Sequence, residues 1–124
     1  MKKLIDHPEG FASHGTILRF PAEWPYEDIV DMMLISIPDG DSEFGLVVTT
    51  GHKAGLILVK LPGECESPFG RGVRHEWLIS NWDKWIYPEC NASEVHFMEN
   101  YPPVSSERAV QREHTRAIEH RDAL

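Results

Sequence analysis

The amino-acid sequence predicts an α+β fold in which a mostly antiparallel sheet of about five strands packs against one Trp-rich helix. Two observations predict it. Short runs rich in Val, Ile, Leu and Thr recur along the chain and are separated by Pro and Gly turns. A single stretch, residues 74–87, instead places its large apolar side chains at helical spacing. The 124 residues fit one domain, which we expect to cover 1–104, with a polar tail at 105–124.

The N-terminal third of the chain contains two predicted strands. Residues 1–15 show little periodicity and are typical of an irregular lead-in. The β-rich run 16–20 predicts the first strand. Residues 21–28 contain two prolines and predict a loop or a single helical turn. The apolar run 29–37 predicts the second strand, which should end at the Pro-Asp-Gly-Asp turn of 38–41.

The clearest unit is a predicted hairpin in the middle of the chain. Residues 44–50 and 55–61 are both rich in Val, Leu, Ile and Thr, and a Gly-containing connection of five residues, 51–55, separates them. The second of these strands has apolar side chains at successive positions. We therefore expect it to be a central strand that is covered on both faces.

The helix predicted over 74–87 carries three of the four tryptophans. Leu78, Trp82, Trp85 and Ile86 recur at helical spacing, and Pro88 ends the pattern. Aromatic residues at this spacing are typical of a buried core, and this interpretation is favoured over a ligand-binding cage.

The C-terminal part predicts one strand and one polar helix. Residues 94–98 alternate apolar and polar side chains, as in a short strand. Ser105 and Ser106 offer an N-cap for a helix over 107–121. This helix has only a narrow apolar stripe, so we expect it to pack lightly or to fray.

The net charge of −8 is distributed unevenly. The tail, 105–124, has four acids and four arginines, so residues 1–104 carry the whole charge. Direct binding to nucleic acid needs the opposite sign and is not expected, whereas a basic partner is favoured. No run is long and apolar enough for a membrane helix, and the start of the chain lacks the apolar core of a signal peptide. We therefore expect a cytoplasmic protein without membrane attachment.

An acidic stretch is the main candidate for a binding surface. Residues 20–52 contain no Lys or Arg. Such a stretch is either a solvated face or a surface that pairs with the Lys, Arg and His side chains of a nuclease. Trp24 and Tyr26 lie among these acids and are the candidate anchors, although an aromatic residue beside proline can also plug the edge of a core. The candidate partner-binding residues are Glu23, Trp24, Tyr26, Glu27, Asp28, Asp31, Asp39, Asp41 and Glu43.

Three segments, residues 17–28, 45–57 and 76–88, resemble a family of small bacterial immunity proteins. These are the cognate inhibitors encoded beside the toxins of polymorphic and contact-dependent growth inhibition systems. The resemblance covers roughly residues 4–101, and its Trp-rich third segment is the most specific part. It implies an α+β fold, no catalysis, and tight binding to the C-terminal domain of one toxin, often a nuclease. Such a protein is expected to be a monomer or a weak dimer.

Catalytic and metal-binding patterns are weak in this sequence. None of the seven histidines has the spacing of a helical zinc site, so we expect no metal. The resemblance to immunity proteins implies no catalytic residue, and we expect no cofactor. Cys65 lies between two glutamates, which should raise the pKa of its thiol. Two alternatives stay open, namely a small cytosolic hydrolase that uses Cys90 or a carboxylate pair, and a structural subunit of a larger assembly.

Overall fold

The computed structural model describes residues 1–39, 42–68 and 72–103. It is an α+β fold, as the sequence predicts, in which one helix packs on a mostly antiparallel sheet. The helix α1 (His75–Asn81) continues directly into a π-helical turn (Trp82–Ile86). The strands are β1 (Lys2–Lys3), β2 (Phe11–Ala12), β3 (Ile17–Pro21), β4 (Ile29–Asp39), β5 (Ser42–Val48), β6 (Ile57–Lys60), β7 (Val73–Arg74) and β8 (His96–Met98).

Six strands form the main sheet, in the order β1-β8-β3-β4-β5-β6, and β2 pairs with β7 in a separate two-stranded sheet. All of the pairings are antiparallel. The irregular lead-in expected over 1–15 is therefore wrong, since it contains β1 and β2. Each of these strands has only two residues, which is too short for an alternating pattern to be visible in the sequence.

The core lies between one side of the sheet and α1. Leu18, Met32 and Leu46, on three neighbouring strands, are at most 1% exposed and belong to the same apolar cluster as Leu78 and Trp82 of the helical segment. The prediction that the aromatic helix is part of the core is confirmed for Trp77 and Trp82, which are 5% and 1% exposed, but is wrong for Trp85, which is 39% exposed. The regular α-helix is shorter than the helix predicted over 74–87, because the π-helical turn replaces the last part of the predicted helix.

The central hairpin is also present, as the antiparallel pair β5 and β6. The expectation that its second strand is central is wrong, because β6 lies at the edge of the sheet. Ile57 is 55% exposed there. A register shift between Leu46 and Val47 interrupts the pairing of β5 with β6. The successive apolar residues of β6 are therefore not evidence that both of its faces are buried.

An ion pair on the other side of the sheet joins β3 to β4. Asp31 is 1% exposed, and its carboxylate accepts hydrogen bonds from Nε and Nη2 of Arg19 at 2.6 and 2.8 Å. The hydroxyl of Tyr101 donates a third hydrogen bond to Asp31 at 2.8 Å. Arg19 and Asp31 are cross-strand partners, so strand register alone brings them together.

The polar helix predicted over 107–121 lies outside the described residues, as does the rest of the 105–124 tail. Among the residues that are described, no helix is both long and apolar enough to cross a bilayer.

Candidate functional site

The connection between β3 and β4 forms a loop of seven residues, 22–28, which we call the Trp24 loop. It starts from the last cross-strand pair of the hairpin, Pro21 with Ile29. The Ala22 amide donates to the Asp28 carbonyl at 2.9 Å and closes the loop at its base. Within the loop, the Tyr26 amide donates to the Glu23 carbonyl at 2.9 Å. These two bonds satisfy main-chain groups and turn the chain at the end of the sheet.

The aromatic residues under the loop hold it to the rest of the fold. The Glu23 amide donates to the hydroxyl oxygen of Tyr87 at 2.8 Å. The Tyr26 ring meets the Tyr87 ring edge to face, with their centroids 6.0 Å apart. Lys53 Nζ lies 5.3 Å from the Tyr26 ring centroid, a cation–π distance. Tyr26 is only partly exposed, so the plug interpretation suits this residue.

Glu27 ties the loop to the turn between β5 and β6. Its carboxylate accepts hydrogen bonds from the His52 amide at 3.1 Å and from His52 Nδ1 at 2.7 Å. These two hydrogen bonds lower the pKa of Glu27 below its ordinary value, so the carboxylate stays charged at neutral pH. Gly51 has a φ of +70°, and a Cβ there would collide with the Glu27 carboxylate. Only glycine allows this close approach.

Trp24 projects from the loop that these contacts hold. It is 91% exposed, so it is not a plug at the edge of the core. Glu23 and Asp28 are exposed on either side of it in the chain, and Ile29 at the base of the loop is 59% exposed. A large exposed aromatic side chain that lies beside carboxylates is typical of a protein-binding surface, in which the aromatic residue is the anchor and the charged residues form the rim.

The structure does not gather the other predicted acids at this loop. Asp31 is buried in its ion pair with Arg19. Asp39 and Glu43 lie in β4 and β5 at the far end of the β4–β5 hairpin, and Asp41 between them lies outside the described residues. Strand β4 has eleven residues, which separates the two acidic ends by roughly 30 Å. The linear acidic stretch is thus two separate regions.

Sequence reasoning missed two residues at the loop. A cleft of about 220 Å³ lies beside Trp24 and is lined by Glu23, Trp24, Pro25, Tyr26, Tyr87 and Glu89. Tyr87 and Glu89 come from the segment that follows the helical layer, more than 60 positions away in the chain. Pro88, which lies between them, predicts that the helix ends there and that the chain turns. No feature of the sequence predicts that the segment after this turn contacts the Trp24 loop.

A family model described as Immunity protein 45 matches residues 4–97, which include the Trp24 loop, Glu89 and most of the main sheet. The chain belongs to this family. No curated protein and no solved structure matches the chain. Membership in the Immunity protein 45 family makes the chain an immunity protein, whose partner is a cognate bacterial toxin. The resemblance seen in the sequence is confirmed.

The thiols of this Immunity protein 45 member are poorly placed for nucleophilic chemistry. Burial, followed by the charge of Glu66, raises the pKa of Cys65 to about 11. Cys90 is 5% exposed, and its Sγ accepts a hydrogen bond from Trp82 Nε1 at 3.3 Å. Burial raises the pKa of Cys90 as well. Because the thiolate is the reactive form, both environments disfavour the hydrolase alternative. Among the described residues, no group of three or more His, Cys, Asp or Glu could hold a metal ion.

We expect both thiols of the folded protein to react at least about a hundredfold more slowly with a disulfide reagent at pH 8 than in the denatured protein. A pKa near 11 leaves roughly one Cys65 thiol in a thousand ionised at that pH, and burial, which also raises the pKa of Cys90, blocks access to both thiols. Absorbance of the released thiolate measures both rates. Fast reaction of one thiol in the folded protein would contradict this prediction and revive Cys90 as a candidate nucleophile.

A second cleft, of about 560 Å³, lies near the N-terminus and includes His7, His14 and His75 in its lining. His75 is 4% exposed, and its Nδ1 donates to the His7 carbonyl at 2.8 Å. Burial lowers the pKa of His75, so its ring is neutral at physiological pH. The ring packs against Phe97 with the centroids 4.8 Å apart, which indicates a role in packing.

Proposed function

We propose that this Immunity protein 45 member neutralises its cognate toxin by placing the Trp24 loop against the toxin's active site. The toxin domain is basic and is a nuclease of a contact-dependent or related polymorphic system. Binding takes place in the cytoplasm, between the toxin and an immunity protein that is a monomer or a weak dimer. The immunity protein catalyses no reaction and does not itself contact nucleic acid or membrane.

The observation that carries this proposal is the 91% exposure of Trp24 on a loop that is otherwise fixed. Three contacts hold the loop, through Tyr87, Lys53 and His52. A loop that is already ordered loses little conformational entropy on binding. Most of the favourable free energy from the contacts of Trp24 therefore contributes to the affinity. Burial of a tryptophan in a partner's pocket is a common source of dominant binding energy.

The charges around Trp24 favour a basic active site over an apolar one. A nuclease presents Lys, Arg or His to the phosphates of its substrate, and carboxylates pair with the same groups. Glu23 and Asp28 are exposed and available for this, whereas Glu27 holds the loop and Asp31 is buried. The same charges accelerate encounter with a basic domain before it reaches the host nucleic acid.

Reversal of both exposed charges, in the double variant Glu23→Lys and Asp28→Lys, should slow association with the toxin about tenfold at low salt. The reason is the loss of long-range attraction, which salt screens, so the difference from the wild type should shrink as ionic strength rises. The measurement is the association rate constant at several salt concentrations, with the toxin domain encoded beside this gene.

The matched control reverses Glu9 and Glu76, which are exposed and lie at the opposite end of the helical layer from Tyr87. This variant has the same net charge, so it separates the local field from the total charge. Equal association rates for both variants would show that the Trp24 loop does not face the toxin, although the family role would stand.

A further inference from the structure

The cleft beside Trp24 has the size and chemistry of a pocket for one cationic side chain. Its volume of about 220 Å³ is below the roughly 300 Å³ at which sites for drug-sized ligands begin. Tyr26 and Tyr87 supply aromatic surface, and Glu23 and Glu89 supply the carboxyl groups at its rim. We infer that this cleft receives an arginine side chain of the toxin, an inference that rests on the proposed function.

The charge of the two segments that line the cleft supports a cation. Residues 20–52 contain no Lys or Arg, and neither do residues 85–103. The carboxylates of Glu23 and Glu89 have no hydrogen-bond partner among the residues that the structure describes. Both side chains are exposed, so each can turn towards an incoming cation without breaking a bond.

The aromatic side chains make arginine a better occupant than lysine. A guanidinium group stacks on aromatic rings and binds carboxylates through two parallel hydrogen bonds, whereas an ammonium group is compact and strongly hydrated. The Tyr26 ring is already paired with one cation, Lys53 Nζ at 5.3 Å from its centroid, which does not line the cleft, so the attraction for the guanidinium group comes mainly from Glu23 and Glu89. Tyr87 is held by the Glu23 amide, so the cleft does not need to form during binding.

The first experiment tests the cleft without the toxin. N-acetylarginine amide is titrated into the ¹⁵N-labelled full chain at constant ionic strength, and the neutral analogue N-acetylcitrulline amide serves as the matched ligand. We expect chemical-shift changes at the Trp24 indole and at the amides of Tyr26 and Glu89 with the arginine probe alone, with a dissociation constant on the order of 10 mM.

Two variants test the role of Glu89 in this binding. Glu89→Gln should weaken binding of the arginine probe about fivefold, and Glu76→Gln, on α1, should leave that binding unchanged. Equal shifts with both ligands, or a Glu89→Gln variant that binds as the wild type does, would overturn the inference.

The second experiment separates this inference from the proposed function. Glu89→Gln should weaken binding of the purified toxin domain about tenfold, mainly through faster dissociation. If Trp24→Ala weakens toxin binding while Glu89→Gln and the arginine probe have no effect, the arginine inference fails and the proposed function stands. If neither substitution changes toxin affinity, the proposed function fails, and with it the assignment of this arginine to the toxin.

Discussion

Replacement of Asp31 by Ala should lower the free energy of unfolding by about 3 kcal/mol. The carboxylate is 1% exposed and accepts hydrogen bonds from Arg19 and Tyr101, all between 2.6 and 2.8 Å. Its removal leaves the guanidinium group without its acceptor, whereas the Tyr101 hydroxyl group keeps Thr49 Oγ1 as a partner at 2.6 Å. The Arg19 side chain is 42% exposed, so water can partly solvate its guanidinium group in the variant. The loss of unfolding free energy should therefore lie at the lower end of the range measured for broken buried ion pairs.

The measurement is denaturant unfolding, with Asp28→Ala as the matched control. Asp28 is exposed and belongs to the same acidic stretch, so its removal should change the free energy of unfolding by less than about 0.5 kcal/mol. Asp31→Asn tests the charge separately, because it keeps the shape but turns an amide donor towards the guanidinium group. An Asp31→Ala variant as stable as the Asp28→Ala control would contradict the structural role assigned to the ion pair.

The ion pair also supports the candidate site. Arg19 and Asp31 face each other two positions before the pair of Pro21 with Ile29 that begins the Trp24 loop. The hydrogen bond to Asp31 raises the pKa of Arg19 above its ordinary value, so the guanidinium group stays charged under all physiological conditions. Two further bonds connect Asp31 to the end of β5, from its own amide to Thr50 Oγ1 and from the Thr49 amide to its carbonyl. Asp31 therefore joins the two strands that present the loop, β3 and β4, to the residues that follow β5.

The parts of the fold that sequence could predict are those with a local signal. Leu78 and Trp82 repeat at helical spacing and are buried, as expected. The hairpin β5–β6 was visible from two apolar runs around a Gly turn. The edge position of β6 was not visible, because position in a sheet depends on which strands pair across long distances. The pairing of β1 with β8, from opposite ends of the described chain, has no local signal at all.

The candidate site was only partly visible in the sequence for the same reason. Trp24 could be selected because an aromatic residue lay among prolines and acids. The sequence could not show that Asp31 points into an ion pair, since its partner Arg19 is set by strand register. The strand predicted over 29–37 agrees with β4, and its length alone places Asp39 and its neighbours far from the loop. Glu89 joins the site only because the chain turns back after the helical layer.

Trp24→Ala is expected to reduce affinity for the toxin by roughly 30-fold to 1,000-fold, which corresponds to about 2 to 4 kcal/mol. At 91% exposure, the indole contributes little to the fold and is free to enter a pocket on the partner. The free energy of unfolding should stay within about 0.5 kcal/mol of the wild type. The measurements are the dissociation constant with the toxin domain and protection of cells that express the toxin.

The matched control for Trp24→Ala is Phe11→Ala, another exposed aromatic residue, which is 55% exposed and lies in β2 of the separate two-stranded sheet. It should bind the toxin as tightly as the wild type does. Trp24→Phe should fall between wild type and Trp24→Ala, because the smaller ring fills part of the same pocket. A loss of affinity in the Phe11 variant with none in the Trp24 variant would move the interface from the Trp24 loop to the two-stranded sheet. Since the family role rests on the match over residues 4–97 and not on this loop, that result would redirect the search for the surface without changing the partner class.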